Sequence, residues 1–331
     1  MFGIMILSHE FGHFITAKAS KMNVEEFSIG MGPAIFKRRK GDTLYSLRVL
    51  PIGGYVKIEG EDGENISSNS FTRKPFLARF SVLFAGSFMN ILFAIILSMI
   101  IIIFSEAIPS TTISKMQDNN ISSSYGLLPG DKIIKIENKK VNVYSDIIFS
   151  LSQSYAEPVD ITVKRDGKTI KLENVEFPVI EENGIKAYTF DYYFYPENKN
   201  ILTVIKHGFF QCIAITRAIW QSLIDLFVGK AGISQLSGPV GTTKVIGEAA
   251  KAGIESLIFF MIFLSINLGL INLLPFPALD GGRIFLLIIE KIRRKPLNPK
   301  FEGALNLIGF ALLMLLMVYV TFNDIVRLFK G

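Results

Sequence analysis

FSVLFAGSFMNILFAIILSMIIIIFS, residues 80–105, is a run of 26 residues without a charge. At about 1.5 Å of rise per residue a helix of that length exceeds the roughly 30 Å hydrocarbon core, so the segment is expected to cross a membrane. Residues 256–279 and 303–323 are uncharged runs of the same kind, 24 and 21 residues long. The composition agrees. Half of the 331 residues are hydrophobic, 19% are charged and mean hydropathy is +0.39. Soluble domains carry about 25% charge, so disorder and an ordinary cytosolic enzyme are both disfavoured. The single cysteine, Cys212, excludes a disulfide framework and a Cys-based metal cluster.

Residues 1–17 are apolar apart from Ser8, His9, Glu10, His13 and Thr16, and form a candidate fourth span. A secretory leader would begin with positive charge and end at small residues. This segment begins apolar and carries an acid and two histidines in its middle, so it reads as a membrane helix. The net charge of +6 comes from two short loops. Residues 18–79 hold 11 Lys/Arg against 7 Asp/Glu, and residues 290–302 hold 5 against 2. Short basic loops stay cytoplasmic, which makes the excess a record of topology and leaves no case for nucleic acid. Residues 105–255 would then lie outside the cytoplasm.

The chain divides in expectation into a first span (1–19), a β-hairpin loop (20–79), a second span (80–105), a small α+β domain (108–180), an amphipathic helix along the membrane interface (200–230), a third span (256–282), a basic loop (290–302) and a fourth span (303–323). Gly, Pro and period-2 alternation around 44–49 and 55–58 argue for hairpins in the loop. In the small domain, Arg165-Asp-Gly-Lys168 between two alternating runs is a β-hairpin signal, and residues 144–154 fit a short helix. An extra span over 200–230 is the competing reading, disfavoured by Lys206, His207, Arg217 and Asp225.

The chemistry concentrates in His9-Glu10-Phe11-Gly12-His13. On a helix, positions i and i+4 share a face, so both imidazoles can reach one zinc ion while Glu10 meets the water it activates. Ionisable groups are expensive in an apolar segment and are usually functional there. Interfacial histidines at a helix end are the plainer account. A catalytic zinc takes a third protein ligand, and Asp280 is the candidate. It follows Asn272-Leu-Leu-Pro-Phe-Pro-Ala-Leu279, whose prolines deny continuous helix, and precedes Gly281-Gly282. Taken alone, Asp280 reads more readily as a helix cap. Irregular backbone at membrane depth, however, survives only where it lines a protein cavity.

These stretches, with Gly53-Gly54-Tyr55-Val56-Lys57, Ala85-Gly86 and Asn90, and Gly126-Leu-Leu-Pro-Gly-Asp131, resemble the site-2 intramembrane zinc proteases (peptidase family M50), the bacterial regulator-of-sigma-E type in particular. The resemblance runs from residue 9 to 283. It implies four transmembrane helices with an inserted extracytoplasmic PDZ domain, in a bacterial plasma membrane. It implies one Zn2+ per chain on His9, His13 and Asp280, with Glu10 as catalytic base and Asn267 and Asn272 holding the substrate strand. Interhelical hydrogen bonding accounts equally well for the two asparagines. Substrates would be transmembrane segments of single-span proteins, anti-sigma-factor-like proteins or signal-peptide remnants, already cut once by a site-1 protease. Gly53 and Gly54 stand in an alternating segment expected to pair with an unwound substrate. Gly126, Leu127, Leu128, Gly130 and Asp131 resemble a PDZ loop that takes a peptide C-terminus. Two other classes compete: a non-catalytic PDZ adaptor, which the intact His9, Glu10, His13 and Asp280 oppose, and a transporter, for which paired broken helices are missing.

Overall fold

The computed structural model describes residues 1–61, 67–118, 120–182, 185–229 and 237–330. The chain forms two compact units, Met1–Ala94 with Gly232–Gly331, and Ile95–Ala231.

The first unit begins with α1 (Phe2–Ala19), followed by β1 (Val24–Lys40) and β2 (Thr43–Ile58), which pair antiparallel. The ribbon doubles on itself. Leu44–Leu47 pairs both with Phe36–Arg39 and with Glu26–Ile29, and Glu26–Ile29 pairs on its other side with Gly54–Lys57. The bends fall at Gly30 and Gly32 in β1 and at Gly53 in β2, all with positive φ, which a side chain would strain. The expected short hairpins are therefore one folded ribbon, its two strands longer than the alternation suggested because the glycines carry the pairing through the bends.

Among the described residues three helices are long and apolar enough to cross a membrane: α2 (Phe76–Phe104), α6 (Ile254–Asn272) and α8 (Pro299–Lys330). Their outward faces are apolar. Phe88, Leu315 and Val318 are about half to two thirds exposed, an arrangement that water penalises and lipid does not. The chain is a membrane protein in which helices are combined with β-sheet. α1 is helical over 18 residues but is not one of the three, because His9, Glu10, His13 and Lys18 lower its hydropathy.

Small residues set the helix spacing. A Cβ on Gly12 would collide with the Ala85 carbonyl of α2, and one on Gly269 of α6 would stand 3.1 Å from the Ser87 carbonyl, so the backbones approach closely. After α6 the chain turns through residues 273–279 into α7 (Asp280–Arg293). Gly281 and Gly282 let the start of α7 press on the carbonyls of Leu273, Leu274 and Phe276. Asn306 of α8 supports the turn, its Oδ1 accepting from Ala278 N at 3.2 Å. The sequence reading missed α5 (Pro239–Ala252), whose apolar positions are sparse; its N-terminus is held by Asp324, which accepts from Gly241 N at 2.7 Å.

The second unit holds β3 (Ile108–Met116), β4 (Lys132–Ile136), β5 (Lys139–Lys140), α3 (Tyr144–Ser152), β6 (Val159–Arg165), β7 (Lys168–Val175), β8 (Val179–Glu182), β9 (Ile185–Tyr188), β10 (Tyr192–Glu197) and α4 (Ile201–Phe227). An antiparallel sheet runs β10-β3-β4-β6-β7, with β5 beside β4. Ile113, Leu127, Ile133, Ile147, Ile161 and Phe177 form its core. The sheet extends past the expected boundary at residue 180, because Tyr192 is buried in that core and β10 pairs with β3. α4 matches the helix expected over 200–230 and starts with a reciprocal cap between Asn200 and Thr203. His207 is buried against Glu197 at 2.7 Å, and Cys212 is buried as well.

Candidate metal centre

His9, Glu10 and His13 stand on α1 at helical spacing, and Asp280 is the first residue of α7. Nε2 of His9 lies 3.1 Å from Nε2 of His13, and Oδ2 of Asp280 lies 3.0 Å from the former and 3.4 Å from the latter. Ligands about 2.0–2.1 Å from a tetrahedral zinc stand about 3.3 Å apart, so the triangle has the size of one face of such a site. All candidate ligand atoms of the three residues lie within 4.8 Å of one another, a set that could hold one ion.

The outer ring nitrogens are both held by α2. Nδ1 of His13 lies 2.8 Å from the Val82 carbonyl, which can only accept, so Nδ1 carries the proton. Asn90, fully buried, places its carboxamide 3.3 Å from Nδ1 of His9, and the direction of that contact follows from which end of the amide faces the ring. Nε2 of each ring points at the other and at Oδ2 of Asp280, which is buried without a hydrogen bond. Three such atoms this close repel unless a proton or a metal cation lies among them. The donor set therefore fits a zinc ion. Gly86 of α2 makes the room, since a Cβ there would overlap His13 Nε2 and stand 2.6 Å from His9 Cε1.

Glu10 is turned to the folded ribbon. Its Oε2 accepts from Val56 N at 3.0 Å, and a Cβ on Gly54 would stand 3.7 Å from its Cγ. Gly53, at φ +87°, packs on Met31. A cavity of about 240 Å³ is lined by Ile6, His9, Glu10, Leu268, Asn272, Ala278, Leu279 and Asp280. Asn272 thus shares the cavity with the cluster, and Asn267 does not line it. Ala278 holds φ +74° beside the cluster, a conformation that costs a non-glycine residue about 1 kcal/mol.

Gly126, Leu127, Leu128, Gly130 and Asp131 belong to the second unit, and their amides are engaged internally. Gly126 N donates to Ser123, Leu127 N to Ser122, Gly130 N to Ile113 and Asp131 N to Leu128. Leu128 N donates to Oδ2 of Asp131, which also pairs with Arg165. No amide of these five is left over for a peptide carboxylate. Sequence reasoning quoted Gly86 and Asn90 without a role; Val82 gave no signal, because a backbone acceptor has no residue type.

Residues 1–316 match peptidase family M50. The chain is 39% identical over 326 residues to a Clostridium perfringens protein provisionally named a zinc metalloprotease, covering 98% of this chain and 96% of that one. It is 31% identical to the regulator of sigma-W protease RasP of Bacillus subtilis, over 99% of this chain and 97% of RasP. It is 29% identical to the zinc metalloprotease RasP of Geobacillus kaustophilus, with the same coverage. A match over nearly the whole length, together with a two-histidine, one-carboxylate cluster among apolar helices, makes this chain a member of peptidase family M50.

Proposed function

We propose that the chain is an intramembrane zinc endopeptidase holding one Zn2+ per chain on His9, His13 and Asp280, with Glu10 as general base. What supports this is the convergence of two imidazole nitrogens and a carboxylate oxygen without a hydrogen bond from segments some 270 residues apart. The zinc metalloprotease names of the relatives agree with it. Zinc supplies an activated water and a polarised carbonyl when bound. Glu10 takes the proton of the attacking water and returns it to the leaving amine. The Val56 amide holds the Glu10 carboxylate in place, while Val82 and Asn90 orient the imidazoles.

A transmembrane substrate must unwind before its peptide bond is exposed. In this reading Gly53 and Gly54 leave the edge of the ribbon free of side chains for pairing with the extended strand, and Asn272, in the cavity, takes its backbone groups, with Asn267 five residues earlier on α6. We assign the chain four spans, counting α1, with the two basic loops and the metal site towards the cytoplasm. The second unit is assigned as an extracytoplasmic PDZ-type domain and α4 as an interfacial helix. Substrates are single-span proteins of the anti-sigma-factor kind or signal-peptide remnants, shortened first by a site-1 protease. The name of the Bacillus subtilis relative, a regulator of sigma-W, suggests the former.

The test is co-expression of a tagged anti-sigma-type membrane fragment with wild-type protein and with Glu10→Gln. Processing by wild type alone is expected, with the variant slower by about 10²–10⁴-fold. Equal processing in both strains would end this reading.

A further inference from the structure

A second cavity, of about 640 Å³, opens in the first unit among the start of α2, the end of α7 and the start of α8. It lies where charge gives way to the uncharged runs beginning at Phe80 and Gly303, at the polar edge of the apolar helices. Its lining is cationic: Arg79, Arg283, Lys291, Arg294 and Lys295 stand against three carboxylates. The carboxylates are committed: Glu290 pairs with Arg79 at 3.1 Å, Glu61 with Arg283, and Glu302 is engaged as well. Arg294 and Lys295 have no carboxylate partner among the described residues, and Lys291 lies 4.7 Å over the Phe76 ring. Arg79 keeps a buried Nε–H without an acceptor. Exposed apolar residues Leu77, Ile292 and Phe301 occupy the same three helix ends.

We infer that this cavity binds the phosphate group of an anionic phospholipid headgroup. A phosphodiester supplies the charge that Lys291, Arg294 and Lys295 lack, and Leu77, Ile292 and Phe301 offer its acyl chains an apolar surface. A zwitterionic headgroup brings its own ammonium into the same cationic space and is disfavoured. The helix that receives the headgroup, α7, begins at Asp280, so an occupied cavity braces the element that carries one corner of the metal cluster.

The test is fluorescence anisotropy of labelled phosphatidylglycerol with the detergent-solubilised full chain, competed by unlabelled phosphatidylglycerol, phosphatidylcholine, glycerol phosphate and inorganic phosphate at matched ionic strength. Glu10→Gln protein is measured beside wild type, so the outcome does not depend on proteolysis. Lys291→Gln/Arg294→Gln/Lys295→Gln is expected to weaken binding at least about tenfold. Quadruple replacement of Lys37, Arg38, Arg39 and Lys40 by Gln, at the tip of the ribbon, removes more charge and is expected to leave binding within about twofold. Equal loss in both variants would reduce the effect to diffuse attraction and overturn the inference, as would an undiminished triple variant. Displacement by inorganic or glycerol phosphate as effective as by the lipid would assign the cavity to a soluble anion instead. If the triple variant fails to fold, Lys295→Gln alone, on an exposed residue, carries the test with a smaller expected loss.

Discussion

Asp280 and Asp131 are both shielded aspartates, one in each unit, and their surroundings differ in kind. Asp131 is fully buried and saturated: Arg165 Nε reaches Oδ1 at 2.6 Å, Arg165 Nη2 reaches Oδ2 at 2.7 Å, and Leu128 N donates to Oδ2 at 2.9 Å. Asp280 faces two imidazole nitrogens at 3.0 and 3.4 Å, yet its Oδ2 makes no hydrogen bond. A saturated carboxylate holds a turn closed. An unsaturated one facing two imidazole nitrogens is what a cation site requires. The state of the lone pairs, more than burial or residue type, is what marks Asp280 as the proposed metal ligand and Asp131 as a structural acid.

The contrast is sharpened most by exchanging both acids for amides. Asp280→Asn is expected to abolish proteolysis and to lower bound zinc, measured by atomic absorption on purified protein, with little loss of folded protein. Asp131→Asn is expected to leave zinc content unchanged and to destabilise the second unit by about 2 kcal/mol, because the charge-assisted hydrogen bonds from Arg165 to a buried carboxylate are lost. Hydrogen exchange over residues 108–177 reads the second effect. If Asp131→Asn lost zinc, or Asp280→Asn kept it, the distinction would fail.

Two glycines offer a narrower comparison of the same kind. Gly86 has ordinary helical backbone and no room for a side chain, whereas Gly130, at φ +89°, has nothing within 4 Å. Gly86→Ala should push both imidazoles from their places, and a displacement of about 1 Å costs on the order of 10²-fold in rate. Gly130→Ala should leave proteolysis of a membrane-embedded substrate unchanged and lower stability by about 1 kcal/mol through backbone strain alone. Near-wild-type activity in Gly86→Ala would show that the histidines do not depend on that contact.

Much of this was legible in the sequence, and unevenly so. The three long apolar helices follow from uncharged run length, and the His9–His13 pair from the period of a helix. Asp280 was legible as irregular backbone at membrane depth, although only the fold brings it to within 3.4 Å of both imidazoles. The doubled ribbon was not legible as such, because period-2 alternation reports extended chain without saying which stretches pair. β10 escaped the small domain's boundary for a related reason: residues 192–195 are all aromatic, so they show no alternation, and only pairing with β3 reveals one buried face. α5 has too few apolar positions to declare itself.

The smallest effect tests whether saturation matters in the first unit as well. Glu59 joins three chain segments: its Oε2 accepts from Asn23 Nδ2 at 2.7 Å, its Oε1 from Ser70 Oγ at 2.7 Å, and its backbone carbonyl from Phe71 N at 2.7 Å. Hydrogen bonds from Asn23, Ser67 and Ser70 lower its pKa from 4.5 to about 2. A lowered carboxylate pKa stabilises the folded state above the unfolded value, so the contribution is intact above about pH 4.5 and is lost as pH falls through about 2. In wild type, hydrogen-exchange protection of residues 55–60 and 67–73, corrected for intrinsic rate, should fall between those limits. Glu59→Gln should show the reduced protection already near neutral pH and little dependence on pH below it. Zinc content should be the same in both proteins at neutral pH, because Glu59 closes a turn and contributes nothing to the cluster. A Glu59→Gln protein that lost zinc would mean that the base of the ribbon positions Glu10 and its neighbours, and that saturated acids in this chain are not confined to holding turns.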